Sequence, residues 1–188
     1  MTNTEFYNLI QSNITDNTTG DITPLKLRAL LDDISNRIGG NVYYANSSST
    51  HQSLPSGVET TLTNDGASGF TVTQYKPHYA DIALWSNNRV HFDDLINGST
   101  INTRLELEFV TGANTEIEVE AIFYDSVGVE VFRLLVEDVF YKASGTHSKT
   151  VTFDWFMDSN ITNGYMLIKS KPDSTITGLL KSIYLDVQ

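Results

Sequence analysis

His91, Phe92, Asp93 and Asp94 set an imidazole beside two carboxylates, the side chains that protonate and displace a glycosidic oxygen. That reaction needs its two carboxyl groups in one cleft about 5 to 9 Å apart. Neighbouring residues of a strand point to opposite faces, so the pair reads better as a turn following the strand "RVHF". Glu106, Glu108, Glu116, Glu118 and Glu120 form a dense acidic array that could gather Ca²⁺ through hard oxygen ligands. The plainer reading is a solvated outer sheet face, its repulsion offset by Arg104 or a basic neighbour. His51, His78, His91 and His147 lack the spacing of a transition-metal site, and the chain has no Cys to supply a thiolate or a nucleophile. No G-x-S-x-G and no Gly-rich phosphate loop occurs. The expectation is therefore a non-enzyme with no catalytic residues, no metal and no cofactor. The stretch "QYKPHYADIALW" gathers Tyr75, His78, Tyr79 and Trp85, candidate ligand contacts that could stack on a sugar or anchor a protein interface. Aromatic residues in sandwiches also plug cores, and the same holds for Phe153, Trp155 and Phe156.

The elements that must position these residues follow from a period of two that begins at Asn41. "TRLELEFV" alternates Leu105, Leu107 and Phe109 with Arg104, Glu106 and Glu108, and "EIEVEAIF" alternates Ile117, Val119, Ala121 and Phe123 with Glu116, Glu118 and Glu120. The intervening "TGANT" predicts an antiparallel hairpin between them. Weaker strands are read in "NVYYA", "VETTLT", "FTVTQY", "DIALW", "RVHF", "VGVEVFRLLV", "KTVTFDWF", "YMLIKS" and "LKSIYLDV", separated by turns such as "NDGASG", "NGST" and "ASGTHS". One polar face per strand predicts two antiparallel sheets packed face to face, a jelly-roll-like sandwich of about eight to ten strands. The fold class expected is mainly β, preceded by one or two short N-terminal helices.

Those helices are read ahead of the sandwich. Phe6, Leu9 and Ile10 make a stripe about two turns long. Thr23 is a plausible N-cap with Pro24 at the first helical position, and Gly39-Gly40 is a stop signal. Between them Leu27, Leu30, Leu31, Ile34 and Ile38 line one face. An isolated helix of about fifteen residues is marginal in water, so this face needs a cover. Leu27, Leu30 and Ile34 keep the spacing of a short self-associating seam until Arg37 interrupts it. Residues 1–40 are thus expected to form an attachment and oligomerisation segment, a homotrimer being the assembly inferred, and residues 41–188 the sandwich head. The alternative is a helix packed on its own sandwich.

Charge excludes some partners. Twelve Lys and Arg against 23 Asp and Glu give a net charge of −11, which repels nucleic acid and anionic membranes at long range. No run of about 18 apolar residues is present, so membrane insertion is not expected. The opening "MTNTEFYNLIQSN" lacks the basic and apolar regions of a secretory signal.

"IQSNITDNTTGDITPLKLRALLDDISNRIG" resembles the N-terminal segment common in fibre and appendage proteins of tailed bacteriophages. "SLPSGVETTLTNDGASGFTV" and "HFDDLINGSTINTRLELEF" are similar to phage head-fibre or tail-fibre jelly rolls of the tumour-necrosis-factor-like kind, which assemble as trimers. The resemblance implies a virion structural protein made in a bacterial cytoplasm. Its N-terminus would grip capsid or tail proteins, and its head would project toward host-surface glycan. The extended shaft of a long fibre is absent from the sequence, which favours a short appendage. Two other functions stay open at this stage: a lectin-like carbohydrate-binding module using the aromatic run, and a polysaccharide depolymerase using facing carboxylates.

Overall fold

The computed structural model describes residues 39–77, 80 and 83–188. The helices expected before Gly39, with Phe6, Leu9, Ile10, Leu27, Leu30, Leu31, Ile34 and Ile38, lie outside the described residues. Within them every regular element is a strand: β1 (Gly40–Ala45), β2 (Gln52–Leu54), β3 (Thr60–Thr61), β4 (Trp85–Ser86), β5 (Arg89–His91), β6 (Thr100–Thr111), β7 (Thr115–Tyr124), β8 (Glu130–Tyr141), β9 (Gly145–Phe156), β10 (Tyr165–Pro172) and β11 (Ile176–Val187).

Two antiparallel sheets result. One runs β1-β11-β6-β9, with β2 also on β11, and the other β4-β5-β10-β7-β8, with β3 also on β10. The pairs nest: β7 with β8, β6 around them with β9, β3 and β5 with β10, and outermost β1 and β2 with β11. A long antiparallel ribbon folded over itself in this way is a jelly roll. The eleven segments fill its eight positions because β1 and β2 share one and β3 and β5 share another, with β4 a short hairpin arm beyond β5.

Alternation does most of the local work. Along β6, Ile101, Thr103, Leu105, Leu107 and Phe109 turn inward; along β7, Ile117, Val119, Ala121 and Phe123 do the same, all of them buried. At the centre Trp155 packs on Phe92 and Phe123, ring centroids 4.9 and 5.2 Å apart, and its Nε1 donates to Thr103 Oγ1 at 2.9 Å. Gly178 is needed where the side chains of the strands flanking β11 in its own sheet crowd over it, since a Cβ there would stand 2.6 Å from Leu54 Cδ1 on β2 and 3.0 Å from Phe109 Cδ1 on β6. Asn87 and Asn88, both at positive φ, make the two-residue turn between β4 and β5.

The expected hairpin at "TGANT" is not formed. β6 pairs with β9 and β11, and β7 with β8 and β10, so residues 112–114 carry the chain from one sheet to the other. Either arrangement buries both apolar faces, so alternation alone does not choose between them; the choice is made by distant strands that flank each one. The sandwich has two poles. At one, the turns 112–114, 142–144 and 173–175 meet, tied by Asn114 N–H to Lys142 O at 3.4 Å and Asp173 N–H to Glu116 O at 3.0 Å. At the other lie Gly40, paired with Val187, and Gln188, whose N–H and C=O both bond Thr100.

Candidate functional site

The aromatic stretch divides by burial. Trp85 is 2% exposed in the core and donates its Nε1–H to Asn64 O at 2.9 Å, so its apolar body and its polar edge are both satisfied inside the fold. Tyr75 stays on the surface beside β1, its carbonyl accepting from Asn41 N–H. His78 and Tyr79 lie outside the described residues. A stacking platform that includes Trp85 is therefore not presented at the surface.

The chemistry considered around His91 is also redistributed. His91 Nε2 lies 2.8 Å from Ser86 Oγ across the β4–β5 hairpin, and its Nδ1 is 3.7 Å from Asp93 Oδ2. This has the order of a nucleophile, base and orienting acid, but 3.7 Å is beyond hydrogen-bond reach, and the link that would fix the imidazole tautomer is missing.

The acidic array is split between opposite surfaces, because its two strands belong to different sheets. Glu106 and Glu108 lie on the outer face of the β6 sheet, where Arg104, Lys181 and His51 meet them at 3.9, 3.2 and 3.0 Å. Lys181 bonded to Glu108 holds that carboxyl below its ordinary value. Glu118 and Glu120 are outside the other sheet, facing Lys171 at 3.8 Å and Arg133 at 3.0 Å. The Ca²⁺ site entertained from spacing is not assembled: among the described residues no group of His, Asp and Glu converges as metal ligands. A larger network joins three strands, β7, β8 and β10, to Glu59, the residue before β3. Glu59 accepts from Lys169 Nζ at 2.8 Å and from Arg133 at 2.9 Å, and Arg133 also grips Glu130 and Glu120. The Lys169 hydrogen bond holds Glu59 below its ordinary value, and Arg133 does the same for Glu130.

The least ordinary surface is one that the sequence did not single out. On one flank both sheets end, in β8 and β9, each paired on one side only among the described residues. β8 is apolar on both faces: Phe132, Leu134 and Val139 point inward, Leu135 and Phe140 outward. Leu135 and Phe140 are 53% and 52% exposed, and the preceding loop adds Val127 at 81%. Of thirteen exposed large hydrophobic residues among those described, seven lie between Val127 and Phe140. The flank is laced by Glu137 to Lys149 at 3.2 Å and by Tyr141 stacked on His147. Its legible signal was "EVFRLLVEDVF", a strand whose apolar residues fall on both faces, the pattern of a strand covered twice.

Fold and surface define a jelly-roll sandwich with polar outer faces and one apolar flank. Among solved structures, the chain is similar to the VP2 subviral particle of infectious bursal disease virus, at a TM-score of 0.50 and 10% identity over 80% of this chain. It is likewise similar to the T=1 particles derived from that virus, at 0.52 and 9% over 80%. The chain spans about a third of the length of those chains, 33% and 32%. No known protein family matches the sequence, and no curated protein matches it.

Proposed function

We propose that this protein is a virion structural subunit, a short homotrimeric head or tail fibre whose jelly roll projects from the particle. The observation that carries the reading is the nested jelly-roll topology, similar in fold to the particle-forming chains of infectious bursal disease virus over 80% of its length. The phage-fibre resemblance of residues 10–38 supplies the finer assignment: attachment to capsid or tail proteins through Phe6, Leu9, Ile10 and the stripe Leu27, Leu30, Leu31, Ile34 and Ile38, with host-surface glycan as a distal contact. The polar outer faces, where carboxylates are matched by Arg and Lys, suit a scaffold rather than a reaction centre. Two measurements test it. Antibody raised against the sandwich should label purified particles in electron micrographs, and light scattering should give three times 20.9 kDa for the free protein. Particles that carry no label would overturn the virion assignment.

A further inference from the structure

Resting on the self-assembly reading above, we infer that the β8–β9 flank is the surface through which one copy of this chain docks on the next. Four observations point to a second copy as the occupant. The first is the unequal treatment of the sandwich's borders. β1 is covered on its outer side by residues 72–75, through Tyr43 N–H to Val72 O, Val72 N–H to Tyr43 O and Asn41 N–H to Tyr75 O. β8 and β9, twelve residues each, have no such cover among the described residues, so the apolar side chains of β8 meet solvent along this border.

The second is charge. A chain of net charge −11 repels its own copies over most of its surface. Between Val127 and Lys149, however, Arg133, Lys142 and Lys149 balance Glu130, Glu137 and Asp138, so this stretch carries no net charge. Two copies can meet here without that penalty. Third, Asp138 sits directly across from Glu118 and forms no ion pair among the described residues. A basic side chain brought by a neighbour would relieve the like-charge pair. Fourth is size. Strands of twelve residues are about 40 Å long, and two stacked sheets with their side chains present a border about 20 Å deep, or roughly 800 Å². That is the area one partner contributes to a stable interface of standard size.

Along β8 the contact is made by side chains and not by extending a sheet. The register of β8 shifts against β7 between Val119 and Glu120 and again between Phe123 and Tyr124, leaving Val136 and Val131 as extra residues in the edge strand. Bulges of this kind break the even row of backbone groups that another strand would need.

The test compares the full-length protein with the double variant Leu135→Glu, Phe140→Glu, which alters only exposed positions, with circular dichroism to verify the fold. The wild type is expected at a multiple of 20.9 kDa and the variant at 20.9 kDa. A folded variant that keeps the wild-type mass overturns the flank and leaves self-assembly standing. A wild type that is itself 20.9 kDa overturns self-assembly and this inference with it. Should the double variant fail to fold, Leu135→Cys decides the matter, because the chain has no Cys of its own. Its thiol should resist maleimide in the oligomer and react as fast as that of Phe70→Cys after dilution to monomer; equal rates in the oligomer would overturn the flank.

Discussion

Trp85 shows how one residue changes role between a string of letters and a fold. In the sequence it stands in an aromatic cluster suited to stacking on sugar. In the structure Asn64 O takes its indole N–H, and the ring lies in the core with Leu84 and Val90. Burial follows from its place on a two-residue strand whose partner position is Val90, itself fully buried. Trp85→Ala should therefore destabilise the protein by about 3–5 kcal/mol, the usual cost of removing a buried large aromatic. The check is chemical denaturation; a loss under about 1 kcal/mol would place the ring outside the load of the core. Retention on a sugar column is a poor readout for this variant, since unfolding would mimic lost binding. His91 is similar in kind: its neighbours along the chain suggested carboxylate chemistry, and the hairpin turned its Nε2 to Ser86, five residues back along the chain.

At the scale of elements, alternation located the long strands well. The inward sets of β6 and β7 are the residues that a period of two selects, and both are buried. Partnering was not legible, because the three-residue connection at 112–114 suits a hairpin as well as an arch, and only β9, β10 and β11, far along the chain, decide between them. Short β2, β3 and β4 were hidden or blurred for a related reason: two or three residues cannot show a period. The network around Glu59, the residue before β3, ties β7, β8 and β10 together on the outer face, and its behaviour with pH follows from its sign. Hydrogen bonding to Lys169 lowers Glu59 from its ordinary value of 4.5. A carboxyl lowered in the fold contributes stability at pH above that ordinary value and loses it as pH falls through the folded value. Thermal midpoints should thus be level near neutrality and drop below about pH 4.5. Glu59→Gln should cost about 0.5–1 kcal/mol at pH 7 and make the acid limb shallower. An unchanged acid limb would show that the network contributes nothing.

For the whole molecule, the nested order of pairs means that β1 and β11, the outermost partners, join residues at opposite ends of the described chain. Non-local pairing of this sort closes late and slowly. All eleven strands and their core lie within 39–188, so a chain beginning at Gly39 should unfold in one cooperative transition at a midpoint near that of the full protein. Scanning calorimetry checks this; a truncated chain without a transition would show that the preceding residues complete the core. The start of the sandwich was readable from the change of period at Asn41, one residue into β1, while the location of the exposed apolar flank was not, because exposure is a property of the finished packing. That flank became visible only once both sheets were seen to end on one side.

The two poles have a practical side. Gly40 and Gln188 leave the sandwich together, whereas the turns 112–114, 142–144 and 173–175 stand a strand's length away, about 40 Å. Gly112, Ala113 and Asn114 are all exposed there, between strands that are firmly paired on their own sheets. A foreign epitope spliced into that turn would be held at the far tip, clear of whatever is joined at Gly39, which makes this small sandwich a ready-made display platform.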